Sequence, residues 1–343
     1  MKTLAVCPAT LQPGFDTYCP AARKALFDGK TVSPILDFDF EKDYETPTAR
    51  ENMNSMSISG AQEKYSAVVE EGHIRLSHPG EQATHILKPA PLNFSLSTRK
   101  QIPANEHLTM QIAAQVYGIQ TAANALCFTT KGQPVYITRR FDVKTDNTKF
   151  PMEDFASILG ITEQGGDSNF KYDGHYAMMA DAIRRFVPAW MIEVERFFKV
   201  VLFNYLYANE DAHLKNFSLI NRNGEYAMSP AYDLVNTRIH LASSDLALKG
   251  GLAPDIEPSD ALVKTGHLCR LDFERFAQRI GLPEKRAGKT LDLFMEIPPE
   301  AYALIDRSFL NEKMKRSYKR IIEQRRQWFA RGMENYCIFA ASN

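Results

Sequence analysis

Asp211, Asn216 and Asp233 are the residues whose types and spacing point most directly to chemistry. Asp211 and Asn216 form an Asp-x-x-x-x-Asn frame inside the polar block Asn209-Glu210-Asp211-Ala212-His213-Leu214-Lys215-Asn216, which lies between apolar stretches. Phosphoryl transfer needs a carboxylate to orient an attacking hydroxyl, oxygen ligands for Mg²⁺, and cations that hold the phosphates. In such a frame the acid takes the proton of the attacking hydroxyl and the amide binds metal. Asp233 follows beyond a turn, where a second metal-binding acid belongs; its surroundings are Tyr232-Asp233-Leu234, without the glycine of an Asp-Phe-Gly motif. Upstream, Lys88 ends an apolar run and is a candidate phosphate-gripping lysine, with Glu106 its candidate ion-pair partner. Each feature alone has an ordinary explanation, since this spacing arises by chance and strand-end lysines are common; their order along the chain gives them weight. His213 reads as a residue that orients the loop through hydrogen bonds rather than one that exchanges protons.

These side chains need a scaffold. Lys64 to Val69 and His73 to Leu76, around Glu70-Glu71-Gly72, predict a hairpin. Thr84 to Lys88 predicts a strand stopped by Pro89, because proline cannot donate to a ladder and restrains the residue before it. A helix is expected from about Asn105 to Tyr117, with Leu108, Ile112, Ala113 and Val116 at helical spacing and Gly118 as its stop. Strands are expected at Ala125 to Thr129 and Val135 to Arg139. From about Phe150 the pattern turns helical. Pro188 opens a long helix striped by Met191, Val194, Phe198, Val201, Leu202 and Tyr205, which delivers the chain to the polar block. Phe217 to Ile220 and Glu225 to Met228 flank Asn221-Arg222-Asn223-Gly224, a hairpin turn. Helices are expected beyond Asp233, and the Arg- and Lys-rich stretch from Asn311 to Arg331 reads as a solvated helix face. The fold class is therefore α+β: a bilobal, protein-kinase-like fold with a small β-rich N-terminal lobe and a larger, mostly α-helical C-terminal lobe.

Composition narrows the setting. A chain of 343 residues can bury a substantial core, and 41 basic side chains balance 41 acidic ones. Zero net charge gives no general attraction to a phosphate backbone or an anionic membrane, so DNA is expected only through a partner, and no membrane is expected. The five cysteines, Cys7, Cys19, Cys127, Cys269 and Cys337, are odd in number and scattered, and read as cytosolic thiols. No stretch approaches the ~18 apolar residues of a membrane span, and the apolar run at Met1 to Cys7 is too short for a signal peptide. A cytoplasmic protein is expected.

At the chemistry-bearing residues the sequence resembles the HipA-like kinases of bacterial toxin–antitoxin systems. Six blocks match in order: Ser-Ile-Ser-Gly-Ala-Gln-Glu-Lys at 57–64, Ile-Leu-Lys-Pro at 86–89, Arg-Arg-Phe-Asp at 139–142, Glu-Asp-Phe at 153–155, Asp-Ala-His-Leu-Lys-Asn at 211–216, and Tyr-Asp-Leu at 232–234. Coverage runs from about residue 50 to beyond 240. The resemblance implies an ATP- and Mg²⁺-dependent Ser/Thr protein kinase toxin. It makes Ser59, Gly60, Ala61, Gln62, Glu63 and Lys64 the nucleotide loop, Lys88 the ATP lysine, and Arg139, Arg140 and Phe141 the adenine-binding hinge. Asp211 becomes the catalytic base, His213, Lys215 and Asn216 complete its loop, and Asn216 with Asp233 holds Mg²⁺.

Ser57 falls on the family's inhibitory autophosphorylation position, with Ser59 an additional hydroxyl; a phosphate there adds about −1.5 to −2 charges, enough to repel ATP or eject the loop. Relative to the longest members the chain lacks roughly a hundred N-terminal residues, which points to the shorter HipT kinases of three-component systems. Such a kinase is expected to partner a HipB-like helix-turn-helix antitoxin and a HipS-like small protein supplying the missing subdomain. The implied substrate is an aminoacyl-tRNA synthetase, tryptophanyl or glutamyl. Residues 1–49 then form an N-terminal extension with a degenerate cysteine element, 50–148 the ATP-binding lobe, and 149–343 the catalytic, helical lobe. Two other classes fit the same residues: a non-catalytic nucleotide-binding partner of a DNA-bound repressor complex, and a small-molecule phosphotransferase.

Overall fold

Tyr65–Glu70 (β1) and His73–Leu76 (β2) form the expected hairpin, with Glu70 opposite His73 and a turn in which Glu71 and Gly72 take positive φ of 47° and 81°. In the computed structural model, which describes residues 4–40, 63–91, 96–163, 168–241 and 243–331, the chain divides into two units. The first comprises Met1–Val116, Gln120–Lys149 and Glu300–Arg316; the second comprises Tyr117–Ile119, Phe150–Pro299 and Ser317–Asn343.

In the first unit, His85–Lys88 (β3), Asn124–Phe128 (β4) and Pro134–Arg139 (β5) join the hairpin in an antiparallel sheet of order β2-β1-β3-β5-β4. The ladder of β3 stops at Pro89, as the missing N–H dictates. One core cluster joins Tyr65, Ala67, Leu87, Cys127 and Ile137 of the sheet to Tyr18, Leu26, Phe27, Val32 and Leu36 from upstream. Residues 4–40 are thus part of the body of this unit. They include one short helix, Pro20–Phe27 (α1). The Tyr18 hydroxyl donates to the Leu126 carbonyl at 2.8 Å. Cys7 and Cys19 are buried, and the Cys19 backbone N–H donates to the Cys7 sulfur at 3.3 Å. Ile102–Gln115 (α2) packs on β4 and β5. It begins earlier than the apolar periodicity suggests, because Pro103 fits its first turn, and it buries polar Asn105, Glu106, His107 and Thr109 as well.

The second unit departs from the sequence reading at its start. Met152–Asp154 (β6) pairs antiparallel with Ser218–Arg222 (β7), which also pairs with Glu225–Met228 (β8). Three residues carry too little alternation to reveal a strand, and a helical pattern was expected there. Phe155–Ile158 (α3) follows directly, capped by the Asp154 carboxylate, which accepts from the Ser157 N–H at 3.0 Å. Tyr176–Phe186 (α4) packs against Trp190–Leu206 (α5), whose buried face carries Val194, Phe197, Phe198, Val201, Leu202 and Tyr205. Met191, assigned to that stripe from the sequence, is 53% exposed.

Beyond Asp233 the described residues form no regular element except a short 3₁₀ turn until Asp260–Thr265 (α6). Arg270–Arg279 (α7), Glu284–Leu293 (α8), Pro299–Arg307 (α9) and Glu312–Ala330 (α10) follow. The solvated reading of α10 holds for Lys313, Arg316 and Arg320, but Arg325 and Arg326 are buried. Arg325 is buried because two carboxylates meet it, from Glu210 and Asp245. No helix among the described residues is long and apolar enough to cross a membrane.

Candidate functional site

In the first unit, Lys88 leaves β3 with its ammonium 2.5 Å from a Glu106 carboxylate oxygen on α2 and 5.3 Å from the centre of the Tyr136 ring. Both residues are almost fully enclosed, at 4% and 2% exposure. A buried ammonium is costly unless paired, and the Glu106 carboxylate supplies such a partner at this depth. Sequence spacing named Glu106 as the candidate partner, and the structure brings the two together.

Arg139 and Arg140 are held through backbone and side chain. Their N–H groups donate to the carbonyls of Ala123 and Thr84, while the guanidinium of Arg139 makes two bonds to Asp28 and that of Arg140 two to Asp142. Phe141 follows, half-buried. Glu63 is buried and Lys64 half-buried at the entrance to β1. Ser57, Ser59, Gly60, Ala61 and Gln62 lie outside the described residues.

In the second unit, α5 hands the chain to the polar block through Ala208, which sits at φ 53°. His213 N–H donates to the Asp211 carbonyl at 2.8 Å and to the Asn216 side-chain oxygen at 3.1 Å, folding the block into a tight loop. The Asn216 amide in turn donates to a carboxylate oxygen of Asp233 at 3.2 Å, although 17 residues separate them. The hairpin of β7 and β8 makes that approach possible by returning the chain. Asp233 has φ 56°, a left-handed conformation that aspartate tolerates better than most side chains. The Asn209 amide donates to the Asp233 carbonyl at 3.2 Å.

The neighbours of Asp211 were not visible as sequence signals. The Tyr172 hydroxyl donates to its Oδ1 at 2.6 Å, and burial together with that adjacent negative charge pushes the phenol well above its usual value. The Tyr172 ring meets His213 edge-on with centroids 5.3 Å apart, and the Tyr176 hydroxyl donates to the Ala212 carbonyl at 2.8 Å. Lys215 points its ammonium to within 3.7 Å of Asp154, and its carbonyl accepts from the Tyr232 hydroxyl at 2.9 Å.

Glu210, directly before Asp211, is fully buried and accepts from Arg238 at 2.6 Å, Arg325 at 2.5 Å and both the N–H and hydroxyl of Ser243. Asp245 joins the same network through Arg325 at 2.8 Å and His267 at 2.7 Å. Two arginines answer two carboxylates, so the cluster is charge-balanced at depth.

The pair Asn216 and Asp233 suits a hard cation. Asn216 meets Asp233 here through its amide nitrogen, a donor; the atoms that would hold the cation are the Asn216 side-chain oxygen, which here accepts from the His213 N–H, and the Asp233 carboxylate. Among the described residues no group of three or more His, Cys, Asp or Glu could hold a metal. One carboxylate and one amide leave positions for water and phosphate oxygens, the usual mode of Mg²⁺ in phosphotransferases.

Residues 56–300 match the family model described as the HipA-like C-terminal domain. "Putative kinase Y4mE" of Sinorhizobium fredii is 29% identical over 73% of this chain, which spans 57% of that protein's length. A Haemophilus influenzae protein named "Putative kinase" is 26% identical over 75% of this chain and 76% of its own length. Among solved structures, a chain of the Shewanella oneidensis MR-1 toxin–antitoxin complex of HipA, HipB and operator DNA is similar with TM-score 0.61. It shares 18% identity over 85% of this chain and 67% of that one, so the expected fold class stands. With most of its length inside the family match, the chain belongs to the HipA-like C-terminal domain family.

Proposed function

We propose that this chain is an ATP- and Mg²⁺-dependent Ser/Thr protein kinase that acts as the toxin of a bacterial toxin–antitoxin system. The observation that carries this reading is the contact of Asn216 with Asp233, beside an Asp211 carboxylate tethered in the same loop. In this reading Asp211 accepts the proton of a substrate serine as its oxygen bonds to the γ-phosphorus of ATP and the bond to the β,γ-bridging oxygen breaks, releasing ADP. Asn216 and Asp233 hold Mg²⁺, which when bound neutralises the charge on the phosphates. Lys88, paired with Glu106, is the phosphate-gripping lysine, Ser59 to Lys64 are the nucleotide loop, and Arg139 to Phe141 are the adenine-binding hinge. His213 and Lys215 shape the loop around Asp211, and Ser57 and Ser59 are the autophosphorylation sites that switch it off.

The partners belong to the same proposal. The solved complex pairs HipA with HipB and operator DNA, which supports a HipB-like helix-turn-helix antitoxin that carries this chain to DNA. A HipS-like small protein is a further partner, as for HipT kinases, and the substrate is a tryptophanyl or glutamyl aminoacyl-tRNA synthetase in the cytoplasm. The segmentation into 1–49, 50–148 and 149–343 goes with this reading.

Incubating the dephosphorylated chain with γ-labelled ATP and Mg²⁺ tests it, with each synthetase and a panel of small hydroxyl compounds as acceptors. Label on a synthetase serine is expected; rapid turnover on a small hydroxyl compound alone would make the chain a small-molecule phosphotransferase instead.

A further inference from the structure

The Tyr172 hydroxyl lies 2.6 Å from one oxygen of Asp211, a contact no motif in the sequence announces. Tyr172 is itself held. Its carbonyl accepts from the Lys249 N–H at 3.0 Å, the Lys171 ammonium lies 5.1 Å from its ring centre, and its ring edge rests on His213. The run of backbone bonds continues: Gly250 N–H donates to the Gly174 carbonyl, Tyr176 N–H to Gly251, and Ala177 N–H to Leu252. Four bonds therefore clamp the 172–177 segment to residues 249–252. From that clamped segment two phenols reach the same loop, Tyr172 to the side chain of Asp211 and Tyr176 to the carbonyl of Ala212.

We infer that Tyr172 is a positioning residue: its hydroxyl pins one oxygen of the Asp211 carboxylate so that the other is presented to the acceptor hydroxyl. This rests on the kinase reading above and adds to it a residue that touches the base rather than the substrate. A carboxylate has two oxygens and a free rotation about its last bond. A fixed donor on one oxygen removes that freedom, which is the condition under which a general base is worth most. The alternative use of the same hydroxyl, as a phosphate acceptor in its own right, would require it to leave this bond.

The test is Tyr172→Phe in the full-length chain, which deletes the donor and keeps the ring that packs on His213. Transfer from ATP to a protein acceptor should fall in kcat by about tenfold to a hundredfold, with KM for ATP within about twofold and an unchanged unfolding temperature. An unchanged kcat would overturn the inference, as would phosphate found on Tyr172 of the wild-type chain by tandem mass spectrometry. A second measurement does not depend on turnover: with 3-fluorotyrosine at position 172, Asp211→Asn should move the fluorine resonance. If the unaltered chain transfers no phosphate, the kinase reading fails, and the pin then stands or falls on that fluorine signal, a static resonance sinking it.

Discussion

At the scale of single residues, the decisive feature of Asp233 is that its backbone conformation and its charge can be separated. Asparagine tolerates the left-handed region as aspartate does, so Asp233→Asn keeps φ near 56° and removes only the carboxylate. Divalent-cation affinity, read with Mn²⁺ by electron paramagnetic resonance, should fall by at least the ~10–100-fold that even outer-shell changes cost; an unchanged affinity would remove Asp233 from the metal site. Lys88 invites the complementary test. Glu106→Gln leaves a buried ammonium without its carboxylate, which should cost about 3–5 kcal/mol in urea denaturation, and a loss near zero would show that the pair is not what holds Lys88. The meetings of Asn216 with Asp233 and of Lys88 with Glu106 were legible in the sequence, from the types and order of these residues. Tyr172 was not. A tyrosine 39 residues before its partner has no spacing rule, and tyrosines are common core residues.

Among elements, those that run into the site were readable where they were long or punctuated. The β1–β2 hairpin, the stop of β3 at Pro89 and the helix α5 leading to Asp211 all follow from turn residues and periodicity. What escaped is short or irregular: β6 with three residues, and the described residues between Leu234 and Ser259, whose backbone bonds follow no repeating pattern. That stretch nonetheless clamps Tyr172 by close approach. A Cβ on Gly250 would come within 2.8 Å of the Gly174 carbonyl oxygen, and a backbone atom cannot turn aside. Gly250→Ala should therefore force the 172–177 segment away and lower transfer alongside Tyr172→Phe, with little further loss when the two are combined. Full additivity would show that the clamp acts elsewhere. The Arg325 bond to Glu210 ties α10, beyond the family match, to the residue before Asp211. Removing the charge by Glu210→Gln leaves the buried Arg325 guanidinium facing a neutral amide and should cost about 3–5 kcal/mol of stability by urea denaturation. A cost below about 1 kcal/mol would show the network to be solvated in solution.

For the molecule as a whole, the core of the first unit contains two histidines kept neutral by burial. His85 and His107 are both lowered to about 4, each with a ring nitrogen on a backbone carbonyl, of Leu26 and Ala9 respectively. The unfolded chain takes up protons on these rings near pH 6.5 while the folded chain does not, so stability is full above that value and is lost as pH falls towards 4. Each histidine can contribute about 3 kcal/mol to the loss. Urea midpoints measured between pH 7.5 and 5 should drop accordingly, and a flat profile would contradict the burial of these rings. That residues 4–40 share this core was hidden from the sequence, since Tyr18, Leu26, Val32 and Leu36 follow no single period. The central claim, that Asp211 is the base of a phosphoryl-transfer centre, is tested most directly by Asp211→Asn in a single-turnover transfer assay with ATP binding measured on the same preparation. Retained ATP binding with transfer reduced by about a thousandfold or more is predicted; transfer at the wild-type rate would contradict it.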